Sequence, residues 1–134
     1  MKFVDSVKIH VRSGNGGAGC TAFRREKYIP HGGPDGGDGG KGGDVFLLGD
    51  LGKNTLLDLS FQQHQHAEHG ASGGGSDKHG RNGKDLHIHV PLGTVVKDIE
   101  TGEIFLEVVE TKDYLLFPGG RGGRGNARFK TSTN

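Results

Sequence analysis

HGGPDGGDGGKGGD, residues 31–44, decides how this chain is read. Gly33, Gly36, Gly39 and Gly42 recur at a strict step of three, with further glycines beside them. A step of three fits neither the 3.6-residue period of an α-helix nor the two-residue period of a strand. It fits polyproline II, a left-handed helix with three residues per turn, one edge of which is then bare of side chains. Shorter echoes stand at Gly16 and Gly19, at Gly70 and Gly73, at Gly80 and Gly83, and at Gly119, Gly122 and Gly125. Repetition in one chain points to extended segments lying side by side, glycine edges together. Polyproline II has no internal hydrogen bonds, so the amides of such a bundle must pair between neighbouring segments. Only glycine lets those backbones come close enough.

The remaining composition is compatible with one small domain of 134 residues. Hydrophobic residues make up 31% of it and 27 residues are glycine, so a side-chain core must be concentrated in part of the chain. Net charge is +1, which by itself supports no claim on nucleic acid. The distribution says more. Residues 97–113 hold six acids against two lysines, which leaves the rest of the chain at net +5. From Pro118 onward the cations Arg121, Arg124, Arg128 and Lys130 meet no acid. Cys20 is the single cysteine, which excludes a disulfide framework and a cysteine metal site. No apolar run approaches a membrane span and no leader pattern opens the chain, so the expected location is the cytoplasm, without membrane contact.

Strands are expected where apolar residues alternate. FVDSVKIHVR, residues 3–12, sets Val7, Ile9 and Val11 against Ser6, Lys8, His10 and Arg12. Further strands are expected at about 44–48, within 86–97, where Leu86, Ile88 and Val90 alternate up to Pro91 and Gly93 turns the chain into TVVKD, and within 103–117, where Glu100–Glu103 turns into IFLEVVE and Tyr114–Phe117 gives one more strand. GKNTLLDLSF, residues 52–61, is apolar without a decisive period, and 62–84 is polar, rich in His and Gly. Glycine-rich excursions fill about 13–43, 69–84 and 118–128. The expected fold is therefore mainly β, a small barrel or sandwich from which the glycine segments project as one bundle. In polyproline II the run 31–43 would reach about 40 Å.

Four chemistries are weighed against this frame. A phosphate loop needs G-x-x-x-x-G-K-[ST], and Lys41, Lys53 and Lys84 are followed by Gly42, Asn54 and Asp85. A metal site on His64, His66, His69 and His79, with Glu68 between, competes with a solvated polar loop, which the residues favour. Cys20 lacks an orienting base and reads as a small buried filler. No catalytic constellation, metal or cofactor is therefore assigned to these residues. Nucleic-acid contact fares best: GGRGGRGNARFK, residues 119–130, resembles an arginine–glycine box, and FRREK, residues 23–27, interleaves cations with an aromatic. The candidate RNA contacts are Arg24, Arg25, Lys27, Lys41, Lys78, Arg81, Arg121 and Arg124; some of these cations could instead cap carbonyls within the bundle.

FRREKYIPHGGPDGGDGGKGGDVFL resembles the N-terminal domain of the Obg family of GTP-binding proteins. FVDSVKIHVRSGNGGAG before it, and GRNGKDLHIHVPLGTVVKD and GGRGGRGNARFKTSTN after it, match in the same order, so the resemblance covers essentially the whole chain. It implies a single Obg domain over 1–134: a β-barrel base carrying a protrusion of glycine-rich left-handed helices, closed by a further β segment beyond Asn134. It also implies that the next domain is a GTPase using GTP and Mg2+, whose motifs have no counterpart among these residues. The partner implied is the large ribosomal subunit, its rRNA and proteins, with the protrusion near the peptidyl-transferase region, in subunit assembly and stress control. A monomer is expected. The rival reading is a platform for stress-signalling proteins, with the glycine bundle only a scaffold and the acidic hairpin or the His-rich loop as the contact.

Overall fold

The computed structural model describes residues 4–16, 39–71, 73, 80–120 and 127–131. They form eight strands and one short helix: β1 (Ser6–Arg12), β2 (Val45–Gly49), α1 (Leu57–Phe61), β3 (His64–His66), β4 (Leu86–Val90), β5 (Thr94–Asp98), β6 (Ile104–Val108), β7 (Asp113–Phe117) and β8 (Ala127–Thr131). The strands build a five-stranded sheet in the order β3-β1-β8-β5-β6 and a three-stranded sheet in the order β4-β2-β7. Neither closes on itself among the described residues. The described residues are mainly β, as expected, and their base is two open sheets sharing a core, where the resemblance implied a barrel.

Alternation explains how the sheets face each other. Successive strand residues point to opposite faces, so Val7, Ile9 and Val11 of β1 are buried while Lys8 and Arg12 are exposed. Val96 and Val108 join them from the same sheet, and Val45, Leu47, Ile88, Val90 and Leu116 come from the smaller one. These side chains form one continuous core. Phe105 of β6 and Phe117 of β7 meet edge to face at 5.8 Å and 75°, tying the two sheets together along one border.

The ambiguous stretch 52–61 resolves into the five-residue α1, anchored by buried Leu56 and Leu59. The Thr55 hydroxyl secures it, accepting from the Val4 amide at 2.8 Å and donating to the Val4 carbonyl at 3.0 Å. Within 86–97 the chain turns at Gly93 as expected, where a φ of 88° is costly for any other residue, so that β4 and β5 are separate strands. Within 103–117, β6 and β7 are likewise separate. Two other expectations need correction. The polar stretch after Phe61 contains β3, which pairs in parallel with β1. The excursion placed at 118–128 overlaps β8, which starts at Ala127 and lies between β1 and β5.

Candidate functional site

Beyond the ends of β1, β2, β3 and β7, five extended pieces of chain come together: 13–16, 39–44, 67–71, 80–85 and 118–120. None of them is strand or helix. Their amides bond from one piece to another. Gly14 donates to the Gly43 carbonyl at 2.9 Å, Gly43 to Glu68 at 2.8 Å, and Gly83 to Lys41 at 2.8 Å. Gly40 donates to Ala71, Ala71 to Arg81, Gly70 to Asn15 and Gly120 to Gly14, at 2.8–2.9 Å. The piece 39–44 touches each of the others through such bonds or, for 118–120, through the Asp44 side chain. This network satisfies backbone groups that extended chain cannot satisfy within itself.

Glycine is required here by space. A methyl group built on Gly42 would land on the Gly14 carbonyl, one on Gly14 would land on the Glu68 carbonyl, and one on Gly119 would land on the Gly42 carbonyl. Gly40, Gly43, Gly70, Gly80 and Gly83 are hemmed in by neighbouring backbone in the same way. Gly16 differs: the nearest atom to its added methyl would be 3.7 Å away, an ordinary contact. Of the glycines assigned to packing, Gly42 and Gly119 therefore sit in the cluster, and Gly39 opens the central piece. Gly33, Gly36, Gly122 and Gly125 lie outside the described residues.

Polar side chains close the gaps that glycine leaves. The Asp44 carboxylate accepts the Gly119 amide at 2.6 Å and the Lys41 ammonium at 2.5 Å. Its pKa lies below the ordinary carboxylate value, chiefly because of the Gly119 amide and then the Lys41 hydrogen bond. The Asp44 amide in turn donates to the Asp85 carboxylate at 2.8 Å. The Lys41 amide donates to the Asn82 side-chain carbonyl, and the Asn15 amide to Nδ1 of His69, both at 2.8 Å. Asn15, Asp44, Asn82 and Asp85 went unrecognised in the sequence, although each lies beside or close to glycine, in SGNGG, GKGGD or GRNGKD, where a side-chain acceptor beside bare backbone is the available signal.

Two candidate RNA contacts fall within this cluster. Lys41 is half-exposed and engaged with Asp44, while Nζ also donates to the Gly42 carbonyl at 3.2 Å. Arg81 is largely exposed, with Nη2 at 3.4 Å from a Glu68 oxygen. Arg24, Arg25, Lys27, Lys78, Arg121 and Arg124 lie outside the described residues, as do Cys20 and His79. His64 and His66 belong to β3 and His69 to the cluster; among the described residues no three metal-ligating side chains gather around one point. No helix in the described residues is long and apolar enough to cross a membrane.

The sequence model of the GTP1/OBG family matches residues 4–134. A protein of Persephonella marina named GTPase Obg is 58% identical over the whole of this chain. GTPase Obg of Syntrophus aciditrophicus is 57% identical over the whole chain, and that of Aquifex aeolicus is 56% identical over 99% of it. The chain spans 40% of the first two relatives and 39% of the third. The match runs through β1, the glycine cluster and β8 alike, and on it the chain belongs to the GTP1/OBG family.

Proposed function

We propose that this chain is the ribosome-binding N-terminal module of an Obg-type GTPase, acting in the cytoplasm on large-subunit assembly and stress control. On this reading it performs no catalysis itself. GTP and Mg2+ are held by a GTPase domain carried elsewhere in the full-length protein, as the name of its relatives suggests. The two sheets serve as the base of an Obg fold. The glycine segments continue from the cluster as a slender bundle of polyproline II helices, monomeric and stiff enough to enter an RNA cavity near the peptidyl-transferase region.

The observation that carries the proposal is the cluster of backbone-bonded glycine segments. In the sequence the stretches bearing Arg24, Arg25, Lys27, Lys78, Arg121 and Arg124 fall between described residues, 17–38 between Gly16 and Gly39, 74–79 between Gly73 and Gly80, and 121–126 between Gly120 and Ala127. Packing backbone on backbone makes the support thin, and thinness is what a probe of rRNA requires. The test is pelleting of the chain with large ribosomal subunits across a salt series. Association should fall steeply with salt, by about 0.7 to 0.9 powers per phosphate neutralised. Replacing Arg24, Arg25 and Lys27 by alanine should weaken it. Salt-insensitive pelleting, or none, overturns the proposal.

A further inference from the structure

A second basic surface borders the glycine cluster, on the outer face of the five-stranded sheet. Parallel pairing sets His10 of β1 beside His64 of β3, and Arg12 beside His66. All four stand on the face opposite buried Val7, Ile9 and Val11. The His10 and His64 rings stack at 4.9 Å and 12°, and His66 meets His64 edge-on at 5.9 Å and 85°. Together with Val11 they line an open hollow of about 260 Å³. Among the described residues no carboxylate lines it.

The charge continues along the sheet. One step before His10 on the same face of β1 is Lys8, and the β8 position in register with it pairs in turn with Lys97 of β5. Strand spacing of about 4.8 Å puts roughly 14 Å between β3 and β5. That is too wide for one phosphate and suited to a chain of them. Acids flank this surface without entering the hollow: Glu68 follows β3 and pairs with Arg81, and Glu107 sits across from Val95 on β6.

We propose that His10, Arg12, His64 and His66 form a binding site for single-stranded RNA, with Lys8 and Lys97 on the same sheet tracking its backbone. Guanidinium and imidazolium donors suit phosphate oxygens, and Arg12 can grip two of them at once. The stacked imidazoles present a flat face on which an unpaired base can continue the stack. An anionic membrane is the lesser match, since the hollow offers flat rings and cations and no projecting apolar side chain. This surface uses none of the cations invoked for ribosome binding and stands apart from that reading.

Protonation is part of the site. His66 is held below the usual histidine range, first by partial burial and then by Arg12, His64, His69 and His10 around it. On its own strand it faces His64, from β1 it faces Arg12 and His10, with Lys8 further along, and from the following segment His69, whose Nδ1 is occupied by the Asn15 amide. A bound phosphate offsets that mutual repulsion, so RNA affinity should rise as pH falls.

Fluorescence anisotropy of the full chain with a short single-stranded RNA tests the site. Arg12→Glu should weaken binding about tenfold or more, and Lys8→Glu, at an exposed position on the same face, should weaken it severalfold if the first variant folds poorly. Wild-type affinity should rise as pH falls through and below the usual histidine range, and His66→Ala should flatten that rise. The triple alanine variant at Arg24, Arg25 and Lys27 should keep the Arg12-dependent component, which reads this surface apart from the ribosome-directed one. Unchanged affinity in both Arg12→Glu and Lys8→Glu overturns the proposal. So does Arg12-dependent binding that inorganic phosphate abolishes as readily as RNA does, or that prefers phosphatidylglycerol vesicles to RNA.

Discussion

The glycine cluster and the two-sheet core are built on opposite principles within one chain. The core is made of side chains, and Ile9, Leu47, Val90, Val96 and Val108 are removed from water almost entirely. The cluster is made of backbone, held by amides that cross from one segment to the next and by a few carboxylates and carboxamides at its edge. A core of aliphatic side chains can shift rotamers to absorb a lost or altered methyl. Two carbonyls with nothing between them cannot. The two regions should therefore respond with very different magnitudes to the same one-carbon change.

The largest effect is expected where a methyl is added to the cluster. Gly42→Ala or Gly14→Ala should cost about 3 kcal/mol or more, or abolish the cooperative transition, because the new carbon lands on a carbonyl of another segment. Gly16→Ala, in the same segment as Gly14, should stay within about 1 kcal/mol of wild type. Thermal or urea unfolding reads all three, and a Gly14→Ala protein as stable as Gly16→Ala would break the comparison.

Next in size is the carboxylate that joins two segments. Asp44→Ala removes the acceptor of the Gly119 amide and should cost about 2 kcal/mol at neutral pH. The folded-state pKa of Asp44 is depressed, so its contribution is complete above the ordinary carboxylate value and fades as pH falls through the folded one. The gap between wild type and Asp44→Ala in urea unfolding should therefore narrow as pH drops below about 4. A gap that widens on acidification refutes the assignment.

Removing a methyl from the core is expected to matter less than adding one to the cluster. Ile9→Val takes one carbon from a fully buried site and should cost about 1 kcal/mol, read by the same unfolding curves. The smallest effect belongs to Lys41→Ala. Its ion pair with Asp44 is half-exposed, so its loss should cost less than about 1 kcal/mol. If Lys41→Ala were as damaging as Gly42→Ala, the cluster would be held by charge and not by close approach.

Legibility followed the range of the interaction. β1 could be read from Val7, Ile9 and Val11 because a half-buried strand writes its period into neighbouring residues. The role of Gly42 was readable because a step of three leaves few other uses for glycine. β3 was not readable: Gln62, Gln63, His64, Gln65 and His66 have no apolar alternation, and the strand exists because β1 offers its edge to it. β8 was obscured by the arginines and glycines before it, which suggested an RNA-binding tail. Its place between β1 and β5 is a matter of long-range pairing. The Asp44 clamp was hidden for the same reason, since Gly119 is far away in sequence.

Read alone, these 134 residues show that glycine is needed for packing, that none of their Gly-Lys pairs completes a phosphate-loop motif, and that the strands are half-buried. Those conclusions rest on local periods and on the presence or absence of particular atoms. The carbonyl each clustered glycine must leave room for, the two sheets that share the core, and the meeting of three histidines and an arginine across β1 and β3 emerge only once the chain is folded. Each of these depends on the register between segments distant in sequence, and register is set by the summed burial and hydrogen bonding of the whole fold.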